Sequence, residues 1–316
     1  VAAPAAASAA LAAAATGVVV AGRTKRRWET ASDPCGPSGL DLPDGEATTV
    51  TTDDGAELAV TVAGPDSGPT VVLIHGWTCH RAVWAAVARR LVLGGHRVVL
   101  YDQRGHGTST LGSAPLTVEQ LGSDLRTVLD ELDVTNAVLV GHSMGGMALQ
   151  SFAIDYPDVA ADRARSLVFV STAARVLGYG VPASIVDLVL GDRVIHRVAQ
   201  GSMGLLIARP SVGRGPRLAH IELTRDGLAA TTAAARVGFL VDMSSMDMRA
   251  GLGSITLPTT VMVGTYDLLT PQRLGRALAA AIPGADLVVL PGVGHMLPVE
   301  DPDRILDVIY ATTTGP

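Results

Sequence analysis

The residue of this chain best suited to nucleophilic catalysis is Ser143. It stands at the centre of a G-H-S-M-G sequence, residues 141–145, which follows a strand-like apolar run and opens a segment with helical periodicity. A serine on such a sharp strand-to-helix turn has a strained backbone that exposes its hydroxyl, and glycines two positions away on either side leave the required space. Gly141 and Gly145 meet this requirement. Because Met144 then begins a helix, we expect its N–H to face an oxyanion that develops beside Ser143.

A base and an acid follow later in the chain, each just beyond a predicted strand. His295 ends a G-V-G-H sequence after the strand predicted at Asp286–Leu290, and Asp267 follows the strand predicted at Thr259–Val263. The carboxyl ends of parallel strands meet at one edge of a sheet, so we expect both side chains to lie near Ser143. In this arrangement His295 takes the serine proton, and Asp267 orients the imidazole and stabilises its charged form.

The other histidines and two further aspartates are weaker candidates. Asp242 and Asp247 are alternatives for the acid. We interpret His142 as a packing residue near the site, because consecutive side chains of a sharp turn point apart, and His75 and His106 as residues that hold loops in shape. The remaining histidines are expected on the surface or in an inserted segment: His80, His96, His196 and His220.

Composition and charge exclude several other classes of function. The chain has 316 residues, of which 48% are hydrophobic, so it can form a sizeable core. Its net charge of −6 argues against nucleic acid as a partner, because phosphate binding needs a basic surface. Two cysteines, Cys35 and Cys79, are too few for a four-cysteine metal site, and we expect free thiols rather than a single bridge. Without zinc-spaced histidines or a glycine-rich nucleotide loop, no metal and no cofactor is expected.

From residue 46 onward, strand-like and helix-like segments alternate with short connections. This pattern predicts an α/β fold whose mostly parallel sheet is covered by helices on both faces. Strands are predicted at Thr48–Thr52, Leu58–Val62, Thr70–Ile74, Arg97–Tyr101, Ala137–Val140, Ser166–Val170, Thr259–Val263 and Asp286–Leu290. Helices are predicted at Ala82–Leu93, Leu116–Leu132, Met144–Tyr156, Pro271–Ile282 and Pro302–Ala311.

The stretch 173–257 interrupts this alternation and is too long for a plain loop. We predict that residues 46–172 and 258–316 form the core of the fold, and that 173–257 form a helical lid over the edge of the sheet. A set of helices packed on the flank of the sheet is the alternative. Helical segments within this stretch are predicted at Ala183–Leu190, Arg193–Val198 and Gly227–Val241.

The first residues differ in composition from the rest. Residues 1–22 are rich in alanine and carry no charge, and the basic residues Arg23, Lys25, Arg26 and Arg27 follow at once. A run of this length can just span a bilayer, and the basic cluster would keep the catalytic domain in the cytoplasm. We therefore expect residues 1–27 to be a membrane anchor with a basic flank; a tail on a soluble cytoplasmic protein and an atypical export signal are the alternatives. Residues 28–45, rich in proline and glycine, are predicted to be a linker.

The motifs and their order resemble those of the α/β-hydrolase family over about residues 46–312. His75-Gly76-Trp77 resembles the family's H-G-x oxyanion loop, and D-Q-R-G-H-G-T-S at 102–109 resembles its D-x-R-G-x-G-x-S loop. The serine motif, an acid in a D-x-x-x-P sequence and the final G-x-G-H sequence follow in the family's order.

The resemblance implies the family's fold and roles for further residues. The oxyanion hole is expected to consist of the N–H groups of Trp77 and Met144. The supporting residues are His75, Gly76, Gly141 and Gly145. The resemblance adds support to the triad of Ser143, Asp267 and His295.

The chemistry implied is that of a serine esterase or lipase. Ser143 takes the place of the aspartate that an epoxide hydrolase or a dehalogenase would need, so these two classes are excluded. We expect a small apolar or lipid-like carboxylic ester, because the inserted stretch is apolar and includes Met203, Met243, Met246 and Met248, although these methionines could equally pack the insertion on the core. Carbon–carbon bond hydrolysis, cofactor-free perhydrolysis and peptide cleavage use the same triad and remain alternatives. A non-catalytic ligand-binding role is the least favoured, because all three triad residues are present.

Overall fold

The computed structural model describes Cys35 and residues 39–313, except 177–179, 199–201 and 216. The predicted anchor or tail at 1–27, and the predicted linker up to residue 38 apart from Cys35, lie outside the described residues. Among the helices that are described, none is both long enough and apolar enough to cross a membrane.

Within the described part of the chain, eight strands form one sheet. The strands are β1 Gly45–Thr51, β2 Glu57–Ala63, β3 Thr70–Ile74, β4 Arg97–Tyr101, β5 Ala137–His142, β6 Ala164–Val170, β7 Thr259–Gly264 and β8 Asp286–Leu290. Their order in the sheet is β1-β2-β4-β3-β5-β6-β7-β8. The strands β1 and β2 form a hairpin, β2 also pairs antiparallel with β4, and the pairs from β4 to β8 are parallel. The predicted, mostly parallel sheet is therefore confirmed.

Helices cover both faces of this sheet. The helices of the core are α1 Ala85–Leu93, α2 Val118–Glu131, α3 Met144–Asp155, α4 Pro157–Arg163, α10 Gln272–Ala281, α11 Leu297–Glu300 and α12 Pro302–Thr313. A 3₁₀ turn at Arg81–Trp84 precedes α1. Pro157 begins α4 soon after α3 ends, because a proline at the first helical position has no N–H that needs an acceptor.

The central strands are buried on both faces, and their side chains alternate between two apolar cores. Val72 and Ile74 of β3 pack with the α2, α3 and α10 side, whereas Val71 and Leu73 pack with the α1 and α12 side. This alternation follows from the two-residue period of a strand. It explains why the strand reads as an uninterrupted apolar run in the sequence.

The stretch 173–257, called the insertion below, is helical as predicted. Its helices are α5 Ala183–Leu190, α6 Asp192–Val198, α7 Ser202–Ala208, α8 Leu218–Ala230 and α9 Ala233–Ser245, with 3₁₀ turns at Arg209–Ser211 and Leu252–Ser254. The single helix predicted at Gly227–Val241 is wrong. Thr231 ends α8 in an extended conformation, and Thr232 begins α9 by accepting a hydrogen bond from the Ala235 N–H.

The loop after β4, which carries the D-Q-R-G-H-G-T-S sequence, is fixed by buried charges. The Asp102 carboxylate accepts hydrogen bonds from the N–H groups of Arg81 at 2.7 Å and Thr108 at 3.0 Å. Arg104 is fully buried, and its guanidinium pairs with Asp124 at 2.6 Å and with Asp54 at 2.9 Å. Since a buried guanidinium needs such partners, this loop is a rigid support for the residues packed on it.

Cys35 and Cys79 are both buried thiols that form no disulfide. Cys35 Sγ lies 3.5 Å from the Val299 carbonyl oxygen and 3.7 Å from His220 Nε2. Burial raises the pKa of the Cys79 thiol to about 12, so this thiol is protonated at neutral pH.

Candidate active site

Ser143 lies on a sharp turn between β5 and α3, with φ 52° and ψ −119°. A serine in this sparsely populated region costs about 1–3 kcal/mol, which the surrounding packing must offset. A Cβ atom on Gly141 would lie 2.5 Å from the Gly145 carbonyl oxygen, and one on Gly145 would lie 2.5 Å from the carbonyl oxygens of Ile74 and His75. Both positions therefore need glycine for the turn to form.

The three residues singled out as a triad lie in one hydrogen-bonded row. His295 Nε2 is 3.0 Å from Ser143 Oγ. On the other side of the ring, His295 Nδ1 is 2.9 Å from Asp267 Oδ2 and 3.1 Å from Oδ1. These are the contacts that a nucleophile, a general base and an orienting carboxylate need.

Asp267 is buried and holds several hydrogen bonds besides that of the imidazole. The N–H groups of Leu269 and Thr270 donate to its Oδ1 at 3.0 and 2.8 Å, and the Thr270 hydroxyl lies 2.7 Å from its Oδ2. Burial by itself raises the pKa of Asp267, but the charge and hydrogen bond of His295 and the donors of Thr270 outweigh this and lower the pKa below its usual value. Asp267 is therefore ionised at neutral pH.

The two alternative acids are occupied elsewhere. Asp242 Oδ2 accepts a hydrogen bond from the Val118 N–H at 2.8 Å, at the start of α2. Asp247 forms a salt bridge with Arg249 at 2.6 Å, where Arg249 is exposed. Among the described residues, His295 contacts Asp267 but neither Asp242 nor Asp247.

The loop at His75-Gly76-Trp77 packs directly against the serine turn. A Cβ atom on Gly76 would lie 3.0 Å from Ser143 Cβ, so this close approach requires glycine. Met144 is the first residue of α3, and an N–H in the first turn of a helix has no acceptor within that helix. Trp77 directly follows Gly76, and Met144 directly follows Ser143, so the oxyanion hole expected from these two residues remains a prediction.

His75 links this loop to the loop after β4. Its Nδ1 lies 2.8 Å from the Gly76 carbonyl oxygen, and its Nε2 accepts a hydrogen bond from the Gln103 N–H at 2.9 Å. Burial lowers the pKa of His75 to about 4, so the ring is neutral at pH 7, as an accepting Nε2 requires. The His106 ring packs against it at a tilt of 60°, with the ring centroids 5.4 Å apart, and its Nδ1 lies 3.0 Å from the Arg104 carbonyl oxygen.

His142, the neighbour of Ser143 in sequence, contacts the backbone of His295 and the ring of Trp84. Its Nε2 lies 2.9 Å from the His295 carbonyl oxygen, and its ring meets Trp84 edge to face. Burial lowers the pKa of His142 to about 3, so this contact is a hydrogen bond donated by a neutral ring to the backbone of His295.

Of two other histidines, His220 lies in the insertion, as the sequence suggested, whereas His96 lies outside it and not on the surface. His220 and His96 are buried, not exposed, with 1% and 5% of their surface accessible. His220 belongs to α8, and its ring approaches Cys35, whereas His96 Nε2 contacts the Thr313 hydroxyl at 3.2 Å. Each ring has at least one polar partner, as buried polar groups generally do. His80 is half-buried, and the side chain of His196 is not described.

Comparison with known proteins decides the family, because the sequence profile of the alpha/beta hydrolase family matches residues 71–308. The chain belongs to this family. The fold and the enzyme class that the sequence predicted, a hydrolase, are thereby confirmed.

The similarity of this hydrolase to individual proteins extends over most of its length. It is 26% identical to a bifunctional esterase/perhydrolase of Acinetobacter calcoaceticus, over 81% of this chain and 95% of that protein. It is 28% identical to a 3-oxoadipate enol-lactonase of Acinetobacter baylyi, over 68% of this chain and 77% of that protein. A solved hydrolase structure from Pseudomonas aeruginosa is 30% identical in sequence and has a TM-score of 0.72. The match covers 86% of this chain and 100% of that one.

A cavity of about 400 Å³ opens in this hydrolase between the triad and the insertion. None of the described residues that line it is an aspartate, a glutamate, a lysine or an arginine. Of the four methionines noted in the insertion, Met243 lines the cavity, whereas Met246 is buried in a cluster with Met144, Met248 packs against that cluster, and Met203 is exposed. The insertion contributes mostly aliphatic side chains to the wall: Val176, Leu190, Ile207, Ala208, Pro210, Leu228, Leu240 and Met243.

Thr270 is part of this site and was not singled out from the sequence. Its hydroxyl lies 2.9 Å from the Ser171 carbonyl oxygen and 3.2 Å from His295 Nδ1, besides its contact with Asp267. The spacing in the sequence could have indicated this contact, because a threonine three residues after an aspartate can hydrogen-bond to its carboxylate within one turn. No group of histidine, cysteine, aspartate and glutamate side chains suited to a metal ion occurs among the described residues.

Proposed function

We propose that this hydrolase cleaves carboxylic esters through an acyl-enzyme formed on Ser143. The observation that carries the proposal is the row of contacts from Ser143 Oγ through the His295 imidazole to Asp267, which opens into an apolar cavity. A strained, glycine-flanked serine within hydrogen-bond distance of a histidine is the arrangement that activates a hydroxyl for attack on a carbonyl carbon.

The reaction follows from these positions. His295 Nε2 takes the proton of Ser143 as Oγ attacks the ester carbonyl, and Asp267 holds the ring and stabilises the imidazolium. The N–H groups of Trp77 and Met144 bind the oxyanion, and each donor is worth about 10²–10³ in rate. His295 then gives its proton to the departing alcohol. A water molecule attacks the acyl-enzyme with His295 again as base, which releases the acid and restores Ser143.

The substrate we propose is a small apolar or lipid-like ester. The described residues of the wall are mostly aliphatic and include no aspartate, glutamate, lysine or arginine. Such a wall favours apolar acyl chains, because their transfer from water is worth about 25 cal/mol for each Å² buried. A charged substrate would lose its hydration in this cavity without gaining an ion pair. The relatives named above, an esterase/perhydrolase and an enol-lactonase, support an ester bond as the target.

Perhydrolysis is the second candidate, and the similarity to the bifunctional esterase/perhydrolase favours it. In this reaction hydrogen peroxide takes the place of water in the attack on the acyl-enzyme, so that a peroxy acid is released instead of an acid. The same triad serves both reactions. Peroxy-acid formation from an ester and hydrogen peroxide, measured beside hydrolysis, separates the two.

A hydrolysis screen tests the proposal. We expect turnover of p-nitrophenyl esters, with a preferred acyl length, and expect monoacylglycerols to be cleaved better than charged lysophospholipids. The Ser143→Ala variant is the control for background hydrolysis. A wild-type protein that turns over no ester faster than this variant would overturn the proposed function.

We also propose membrane association through residues 1–22, with the catalytic domain in the cytoplasm. The support is the uncharged run followed by Arg23, Lys25, Arg26 and Arg27. Removal of residues 1–28 should release the protein from membranes and leave the hydrolysis of short esters unchanged. High salt should not detach the full-length chain, since apolar burial is not screened. Recovery of the full-length chain in the soluble fraction would refute the anchor.

A further inference from the structure

One end of the insertion is bound to the loop that carries His295. The Ser211 carbonyl oxygen, at the end of the 3₁₀ turn Arg209–Ser211, accepts hydrogen bonds from the N–H groups of His295 at 2.9 Å and Met296 at 3.1 Å. Three residues further on, the Arg214 N–H donates to the Gly292 carbonyl oxygen at 2.9 Å. The backbone of the insertion and the backbone of the base are therefore directly paired.

Glu300, which has no role in the proposed mechanism, joins the same two segments. Its Oε2 accepts hydrogen bonds from the Gly213 N–H, in the insertion, at 2.7 Å and from the Gly294 N–H, in the histidine loop, at 3.0 Å. Burial raises the pKa of Glu300, and the N–H donors oppose this increase. A carboxylate that is largely removed from water is retained here by backbone N–H groups from two separate parts of the chain.

The two segments fit so closely that both donors must belong to glycines. A Cβ atom on Gly213 would lie 2.3 Å from the Gly292 carbonyl oxygen. A Cβ atom on Gly294 would lie 2.3 Å from the Gly213 nitrogen. The shared acceptor, Glu300, lies at the end of α11, five residues after His295, so it is attached to the histidine loop by a short helical segment.

We infer that Glu300 is a positioning residue, which fixes the His295 loop against the insertion and so holds the imidazole in line with Ser143. The inference rests on the proposed function of the triad. Ala208, Pro210 and Ser211 line the substrate cavity next to this contact. One carboxylate thus joins the cavity wall to the segment that carries the base, in addition to the backbone hydrogen bonds of Ser211 and Arg214. The insertion is therefore a working part of the site rather than only a cover.

Substitution of Glu300 by glutamine and by alanine separates positioning from stability. A glutamine carbonyl oxygen can take the place of Oε2 and keep both N–H bonds, whereas its NH₂ would replace Oε1, which is buried and has no hydrogen-bond partner among the described residues. Both variants should therefore have a lower Tm. Only Glu300→Ala should lose kcat, by about 10- to 100-fold, because a small displacement of the base is enough for such a loss.

The measurements are kcat, KM and Tm of the full chain with a short p-nitrophenyl ester, and hydrogen exchange at the amides of Gly213 and Gly294. Asp303→Ala is the matched control, since Asp303 is an exposed acid nearby that pairs with Arg90 and should change neither kcat nor these amides. We expect Glu300→Ala to lower kcat and to speed exchange at both amides, and Glu300→Gln to keep kcat within about threefold of the wild type.

Two outcomes would overturn this inference alone, provided that the wild type is active: an unchanged kcat in Glu300→Ala, or an equal loss of kcat in both variants. A wild type without esterase activity would overturn the proposed function and this inference with it.

Discussion

Ser143 Oγ and His295 Nε2 are 3.0 Å apart, although 152 residues separate them in the chain. The sheet produces this contact. Ser143 follows β5, Asp267 follows β7 and His295 follows β8, and the parallel strands β5 to β8 end at the same edge. The insertion lies between β6 and β7 in sequence. It lines most of the cavity, and at Ser211 and Gly213 it also contacts the segment that carries His295.

Asp267→Asn should lower kcat by about 10⁴-fold, because an amide in this place stabilises the wrong tautomer of the His295 ring and no imidazolium. Asp242→Asn is the matched control: its carboxylate caps α2 through Val118, so kcat should fall less than about tenfold. Steady-state kinetics with a short ester measure both. A greater loss in the Asp242 variant would assign the acid to the insertion.

Thr270→Val should lower kcat by about tenfold, the equivalent of about 1.4 kcal/mol, since it removes the hydroxyl beside Asp267 Oδ2 and His295 Nδ1 without changing the side-chain volume. Thr127→Val removes a hydroxyl on α2 that bonds to the Ser123 carbonyl oxygen and should leave kcat unchanged. Equal activity of both variants with the wild type would show that Thr270 does not act through the triad.

Much of the core could be predicted because its strands are buried on both faces. The strands β3, β4 and β8 have the predicted bounds, since each is a short apolar run between turn residues. The break between α8 and α9 was missed because alanines on both sides continue the helical pattern, and only Thr232, as a cap, marks the boundary.

The candidate site also has a part that could be predicted from the sequence and a part that could not. Ser143, Asp267 and His295 belong to short local motifs, so their juxtaposition could be expected from the sequence. The bond from Gly213 to Glu300 joins residues 87 positions apart, and no local pattern marks it. Contacts of this kind depend on how the insertion packs, which propensity and periodicity do not determine.

Leu240→Phe should shorten the acyl chain that the enzyme prefers. Leu240 lines the cavity from α9, and a ring at this position fills part of its volume. We expect kcat/KM to fall by about tenfold for long p-nitrophenyl esters and by less than about twofold for the acetate, because one or two lost methylene contacts are worth about 1–2 kcal/mol. Leu93→Phe is the control, since Leu93 is 87% exposed. An unchanged chain-length profile would show that acyl chains do not reach α9.

His106→Asn should make the stability of the protein less sensitive to acid. Burial lowers the pKa of His106 to about 3, whereas an unfolded histidine titrates near 6.5, so the unfolded state binds an extra proton between these values. The loss of stability caused by this proton uptake is absent above pH 6.5 and grows as the pH falls towards 3. Between pH 7 and pH 5 it amounts to about 2 kcal/mol. Urea unfolding measures the free energy of unfolding at pH 7 and at pH 5. The decrease between these pH values should be smaller in the variant than in the wild type by that amount. An identical decrease would mean that His106 is not buried as a neutral ring.

The most direct test of the central claim is to trap the nucleophile. A fluorophosphonate probe reacts with an activated serine, and peptide mass spectrometry identifies the residue that carries the adduct. The account predicts one adduct, on Ser143, in a protein whose ester hydrolysis stops as the adduct forms, and neither adduct nor turnover in Ser143→Ala. An adduct on another residue, or ester turnover that survives in Ser143→Ala, would contradict it.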